Sequence, residues 1–305
     1  MLELMAAAAN EPIYWSDLGL KPGIELGFFT LRYYSLAYLL GILFAYWHVS
    51  KQIKAPGAPM GQTHVDDLFF YCTLGVIFGG RLGYAMFYDQ SLFTSFDGEG
   101  FVKWRLLRLW DGGMSFHGGL MGVLLAIGWV CRRGGLNFIR VCDYIAVSVP
   151  VGMFLGRMAN FINGELWGRT TDVPWAMVFC DEQNFAGRCI TSGLPRHPSQ
   201  LYEALLEGLI LAIVLIYLFW RTRARFKPGL LVGLFTIGIA AGRFTVEFFR
   251  QPDEQLTEFA MRTGLSMGQW LTIPLMIAGL ALVLYAIRKP ELASGEAMKA
   301  KAEKA

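Results

Sequence analysis

The sequence predicts an all-α membrane protein: a bundle of seven transmembrane helices, N-terminus outside and C-terminus in the cytoplasm. Three observations predict it. Of 305 residues, 54% are hydrophobic and only 17% charged, against roughly 25% charged in soluble domains, and the mean hydropathy is +0.42. Apolar runs near the ~20 residues that cross a ~30 Å hydrocarbon core recur along the chain. Lysines and arginines crowd alternate loops, the asymmetry that sets orientation. Residues 1–290 are expected to form one integral membrane domain, and 291–305 a charged, unstructured cytoplasmic tail. The net charge of +3 gives no sign of nucleic acid as a partner.

The elements follow in order. MLELMAAAANEPIYW lacks a positive n-region, and its Ala run breaks at polar and Pro residues. No cleaved leader is expected, and the spans themselves would target the chain. The first span is read at 28–47 and opens with Arg32, Tyr33 and Tyr34. The second, 68–88, carries Arg81 near its middle. The third, 117–132, is short and is entered through the Gly-rich DGGMSFHGGL. The fourth, 141–163, holds Pro150 and several glycines, so a kink is expected. The fifth, 200–220, follows PRHPS, where Ser199 after Pro198 reads as an N-cap. The sixth is read at 229–248 and the seventh at 267–287. Lys51 and Lys54, then Arg132, Arg133 and Arg140, then Arg221, Arg223, Arg225 and Lys227 share one side with the basic tail. Positive-inside logic makes that side cytoplasmic. Loops around 89–116, 164–199 and 249–266 then face outward as a small head region, in which 170–196 is either a lid or a connector.

The five cysteines show no metal-ligand spacing. Cys72, Cys131 and Cys142 lie in or beside apolar runs, as small hydrophobes do. Cys180 and Cys189 share one outward loop and could form a disulfide there.

Polar clusters interrupt the apolar spans. Four arginines fall inside them: Arg32, Arg81, Arg157 and Arg243. Each costs about 2.5–3.5 kcal/mol at a helix centre, less where the side chain snorkels to an interface. In GRMANFINGELWGR, Arg157 and Asn160 share a helix face. Gly156 and Ala159 keep the adjacent surface small, Asn163-Gly164 signals a helix stop, and Glu165 and Arg169 stand at i, i+4 beside Gly168. In AAGRFTVEFFRQPDEQ, Arg243, Glu247 and Arg250 form one stripe; Arg243 can pair with Glu247, leaving Arg250 to meet an anion. In DGGMSFHGGL, His117 stands beside glycines that permit close approach and has an ordinary pKa near 6.5. His197, Gln200, Tyr202 and Glu203 put polar groups at the start of the fifth span. Each cluster taken singly has a structural alternative: snorkelling, a packing ion pair, a boundary histidine, a cap. Together, all but Arg81 converge on the outward half of the bundle. Arginine forks there suit a phosphate, and a phospholipid headgroup is the anion that such a location supplies. No metal-ligand set, nucleotide-type Gly loop or GxSxG elbow appears, so neither metal nor cofactor is expected.

With those residues in view, the chain resembles the prolipoprotein diacylglyceryl transferase family. GRMANFINGELWGR is similar to the family signature, and DGGMSFHGG, HPSQLYEAL and GRFTVEFFRQPD to its other motifs, in the family's order. Ala159 stands where the signature commonly has glycine, and RYYS replaces the usual aromatic-Tyr-Gly. The resemblance implies a seven-span enzyme of the bacterial inner membrane, with its active site toward the periplasmic or outer leaflet. Its activity would be transfer of the diacylglyceryl group from phosphatidylglycerol to the lipobox cysteine thiol of a prolipoprotein signal peptide. A thioether forms and glycerol 1-phosphate leaves. Matching functional positions are Tyr34, His117, Arg157, Asn160, Glu165, Gly168, Arg243, Glu247 and Arg250. Among them His117 is the first candidate base, Arg157 and Arg243 would hold the phosphate, and Asn160 would donate a further bond. Glu247 would orient Arg243, and Glu165 would orient Arg169 or act as an alternative base. A transporter or flippase for an anionic lipid or solute is the competing class, since intramembrane arginines suit it too, although the two halves show no obvious inverted repeat.

Overall fold

The computed structural model describes residues 13–27, 30–96, 102–183, 189–251 and 257–292. The chain divides into two compact units, residues 1–45 with 146–292, and residues 46–145 with 293–305. Among the described residues run nine helices of five residues or more: α1 Tyr33–Gln52, α2 Gln62–Phe87, α3 Phe116–Gly134, α4 Phe138–Ala146, α5 Val149–Ile162, α6 Ser199–Arg221, α7 Leu230–Val246, α8 Thr257–Thr263 and α9 Met267–Arg288. By length and apolarity α2, α6 and α9 qualify as membrane spans, and the α4–α5 pair makes up to four; α7 is apolar but shorter. The fourth expected span is therefore broken, with Pro150 in the first turn of α5, where its missing N–H costs no hydrogen bond.

The chain is not all helix. The described residues include five short strands: β1 Ile13–Tyr14, β2 Gly23–Glu25, β3 Thr30–Arg32, β4 Met177–Gln183 and β5 Cys189–Arg196. β1 runs parallel to β4, β4 runs antiparallel to β5, and β2 and β3 form a hairpin. Two expectations change as a result. Arg32 ends a strand, paired with Gly23, rather than lying inside the first span. The stretch 170–196 carries the antiparallel pair β4 and β5. Its strands are short and two-sided, so no hydrophobic period marked them in a sequence dominated by lipid-facing helices. The side chains of Cys180 and Cys189 lie outside the described residues.

In the second unit, α2 and α3 approach closely enough to touch through their backbones. Gly75, Gly79 and Gly83 recur every fourth residue and face Gly118 and Gly122. A Cβ at Gly75 would stand 2.6 Å from the Gly122 carbonyl oxygen, and one at Gly83 2.7 Å from Gly118 Cα. Small residues at this spacing let membrane helices gain backbone van der Waals contact.

In the first unit the same device recurs between α7 and α9, where Gly233 and Gly279 leave 3.0 Å between an added Cβ and the facing carbonyl. α9 opens on a reciprocal cap: Ser266 Oγ accepts from Gln269 N at 3.1 Å and Gln269 Oε1 accepts from Ser266 N at 3.0 Å. Away from these helices, Trp15 seals the sheet onto α5. Its indole donates to the Phe161 carbonyl at 2.9 Å, and it packs with Phe161, Met177 and Phe179 in a buried core.

Candidate active site

Three helix segments of the first unit carry the site: the end of α5, the start of α6 and the end of α7. Arg157 and Asn160 project from the last turns of α5. Gly164 follows with φ +67°, which glycine adopts without steric penalty, and reverses the chain. Glu165 then returns its carboxylate to the helix end, where Oε1 accepts from Asn160 Nδ2 at 2.8 Å and Asn163 Nδ2 at 3.1 Å. The start of α6 grips the same turn. Gln200 Nε2 donates to the Glu165 carbonyl at 2.6 Å and Ser199 Oγ to the Leu166 carbonyl at 3.0 Å. Ser199 thus ties two segments together and does not cap its helix, which begins at Ser199 itself with Pro198 before it. Gly168 lies where three segments converge. Its N–H donates to the His197 carbonyl at 2.8 Å, it bridges to Arg250, and a Cβ on it would sit 2.8 Å from His197 Cβ.

The centre is Glu203, fully buried on α6. Its Oε1 takes Arg243 Nη1 at 2.8 Å and Arg250 Nη1 at 3.0 Å, while its Oε2 takes Arg157 Nε at 2.8 Å. Glu247 Oε2 adds contacts to Arg243 Nη2 at 3.2 Å and Arg250 Nε at 3.9 Å. Glu207, the next acid along α6, lies 4.0 Å from Arg157 Nη2. Immediately after Glu203 the helix widens into a π turn over Ala204–Ile210, a local distortion common at functional sites. Gly208 in that turn rides directly on α5, an added Cβ falling 2.7 Å from Phe154 Cα. Gly268 leaves space for the Glu247 carboxylate in the same way, at 2.7 Å from Cδ.

Three half-buried guanidiniums are costly unless paired, and three buried carboxylates, Glu203, Glu207 and Glu247, lie against them. Arg157 and Arg243 remain about a quarter exposed along their side chains. Each guanidinium has five donors, so binding carboxylates along one edge fixes its plane and leaves N–H groups for an anion. Tyr34 lies within electrostatic range of Arg157 and Glu165 and its hydroxyl is 3.4 Å from that of Tyr38.

Beside this cluster Tyr202 Oη accepts from Trp175 Nε1 at 2.7 Å and lies 3.1 Å from His197 Nδ1. Phe249 meets the His197 ring edge-on with centroids 5.1 Å apart. Burial there holds the His197 imidazole below its ordinary pKa.

His117 belongs to the second unit, exposed at the first turn of α3. Its approach is tied by hydrogen bonds. Ser115 Oγ accepts from Gly118 N at 3.3 Å, and Ser115 N donates to the Gly80 carbonyl at 2.9 Å. Arg81, only 4% exposed, donates to the carbonyls of Arg105, Leu106, Arg108, Gly112 and Gly113. Gly112 and Gly113 have φ of +80° and +77°, conformations open to glycine.

The expected residues Arg157, Asn160, Glu165, Gly168, Arg243, Glu247 and Arg250 therefore come together in one unit, and the Arg243–Glu247 pair forms as its spacing requires. Three expectations are corrected. Arg250 is not left outside the ion pairs, because Glu203 Oε1 binds it at 3.0 Å. Arg169 does not pair with Glu165; its Nε donates to the Arg250 carbonyl at 2.8 Å, while Glu165 is taken by two asparagines. Gly156 has nothing within 4 Å of an added Cβ, so among the described residues no helix approaches it there. Two acids escaped notice as site residues: Glu203, read only as a polar residue at a helix start, and Glu207. A signal existed, since two carboxylates one turn apart in an apolar run need cationic partners, and intramembrane arginines in other spans supply them.

Fold and cluster together define a helical membrane protein with a charge-balanced arginine–carboxylate centre. The prolipoprotein diacylglyceryl transferase family matches residues 23–285, and the chain belongs to that family. It is 61% identical over 285 residues to a phosphatidylglycerol–prolipoprotein diacylglyceryl transferase of Erythrobacter litoralis, covering 93% of this chain and 96% of the relative. Equally named relatives from Zymomonas mobilis and Rhodospirillum rubrum are 45% and 46% identical, covering 89% and 88% of this chain and 93% of each relative.

Proposed function

We propose that this protein transfers the diacylglyceryl group of phosphatidylglycerol to the lipobox cysteine of a prolipoprotein. The observation that carries this reading, beside family membership, is the set of three arginines gathered on Glu203. The thiol sulfur attacks the glyceryl carbon, the C–O bond to phosphate breaks, and a C–S thioether forms. Glycerol 1-phosphate departs with the bonding electron pair, and the thiol proton passes to a base. A free thiol has pKa near 8.5, so only a few per cent is thiolate at neutral pH. His117 serves as that base. Arg157 and Arg243 stabilise the charge that grows on the leaving phosphate, with Asn160 a further donor. Glu247 orients Arg243. Gly168, Arg250, Tyr34 and Glu165 shape the phosphatidylglycerol site. The arrangement is a seven-span catalytic domain over residues 1–290 of the bacterial inner membrane. Its N-terminus and site lie toward the outer leaflet, and its tail 291–305 is cytoplasmic.

The decisive assay mixes purified protein, vesicles containing phosphatidylglycerol and a lipobox peptide. The expected product is a diacylglyceryl-modified peptide by mass spectrometry, with stoichiometric glycerol phosphate. A flippase would release none. Arg157→Ala and Arg243→Ala are each expected to lower the rate about 10²-fold or more, and His117→Gln about 10²–10⁴-fold. Near-normal thioether formation by the arginine variants would sink the phosphate clamp.

A further inference from the structure

Glu207 is the least committed charge of the cluster. It is 2% exposed in the π turn of α6. Glu203 is held at 2.8–3.0 Å by three guanidiniums, whereas Glu207 Oε2 has Arg157 Nη2 at 4.0 Å. Its Oε1 is buried without a hydrogen-bond partner among the described residues. The charged groups around it are Glu203 on its own helix, Arg157 from α5, and Arg243 and Arg250 from α7 and the turn beyond. Glu247 closes the set through Arg243 and Arg250. Gly242 of α7 packs against its stem, an added Cβ standing 3.0 Å from Glu207 Cγ, so the side chain has little room to swing away.

Three guanidiniums and three carboxylates cancel. A phosphodiester brings one further negative charge and stays ionised at any physiological pH. Its arrival leaves a buried cluster with one uncompensated anion, which is costly unless neutralised. The proton is cheapest where the carboxylate gives up the weakest contact, and that is Glu207. We infer that binding of a phosphodiester headgroup here is coupled to uptake of one proton from solution by Glu207. The inference rests on the proposed function, which puts phosphatidylglycerol at this cluster.

The sign follows from linkage. Bound phosphodiester raises the proton affinity of Glu207, so the complex holds a proton that the free protein lacks between the two titration points. Lipid affinity is highest below that window, falls about tenfold per pH unit across it, and levels above it. The test titrates short-chain dioctanoyl phosphatidylglycerol into the full-length protein in uncharged maltoside micelles. Calorimetry in two buffers of different ionisation heat at one pH counts the protons. The expected result is uptake of about one proton per lipid within about pH 6–9. Glu207→Gln should bind the lipid with no uptake and with a flat pH dependence. Wild-type binding without uptake across that range overturns the inference. So does a Glu207→Gln protein, folded by its melting curve, that still takes up the proton. If Glu207→Gln does not fold, absence of uptake by the wild type still overturns the inference. Wild-type binding no tighter than that of dioctanoylglycerol, which has no phosphate, overturns the phosphodiester reading itself and the inference with it.

Discussion

Glu203 concentrates more interaction than any residue named from sequence as part of the site. Replacing it by glutamine keeps the shape and removes the charge that three arginines share. Breaking a buried pair in this way costs about 3–5 kcal/mol, so Glu203→Gln is expected to melt well below the wild type in micelles and to lose most thioether formation. An unchanged melting temperature would show that the arginines find other partners. His197 gives a pH prediction of the opposite kind. Burial depresses its folded pKa, so the unfolded chain binds the proton more readily. Stability is then full above the unfolded value of about 6.5 and falls as pH drops through it toward the folded value. His197→Gln should melt with a shallower loss between about pH 7 and pH 5 than the wild type; parallel curves would refute the assignment. At this scale the sequence was half legible. Arg157, Asn160 and Arg243–Glu247 could be read because helical spacing alone brings them onto faces. Glu203 binding Arg243, 40 residues away, and Arg169 reaching the Arg250 carbonyl, 81 residues away, are tertiary contacts that no local period encodes.

Among the elements, the α2–α3 pair depends on glycine at particular positions rather than on glycine in general. A side chain at Gly118 would drive into the α2 backbone at Gly79 and Gly83, and overpacking costs about 1–3 kcal/mol. Gly128, on the same helix, has nothing within 4 Å of an added Cβ, and Gly→Ala in an open helical position gains up to about 1 kcal/mol. Gly118→Val should therefore destabilise while Gly128→Ala is neutral or stabilising, as read by thermal unfolding of the two variants. Equal melting temperatures would mean the helices separate freely. The starts of α3 and α9 fall within a residue of the expected 117 and 267, and the expected kink at Pro150 is a break, whereas the expected cap at Ser199 is not one. The expected boundaries failed where strands replaced loops, and the π turn in α6 had no sequence mark because ALLEGLI fits an α-helix equally well.

For the whole molecule, the proposed arrangement of seven spans with an outward N-terminus makes a labelling prediction. A single cysteine placed in the loop 89–96 of a cysteine-free protein should react with an impermeant maleimide on intact spheroplasts. One placed in the 291–305 tail should react only after lysis, and the reverse pattern would invert the topology. Apolar length and basic loops made the membrane class legible, since both are sums over many residues and survive local errors. The Arg157–Glu203–Arg243 junction also has a consequence in time. The ribosome delivers its members in sequence order, arginine first, carboxylate next, second arginine last. Until α6 emerges, Arg157 enters the translocon without its acid; until α7 emerges, Glu203 and Glu207 together face a single guanidinium, that of Arg157. Nascent chains that stall between α5 and α6 should therefore be the ones that quality-control proteases find.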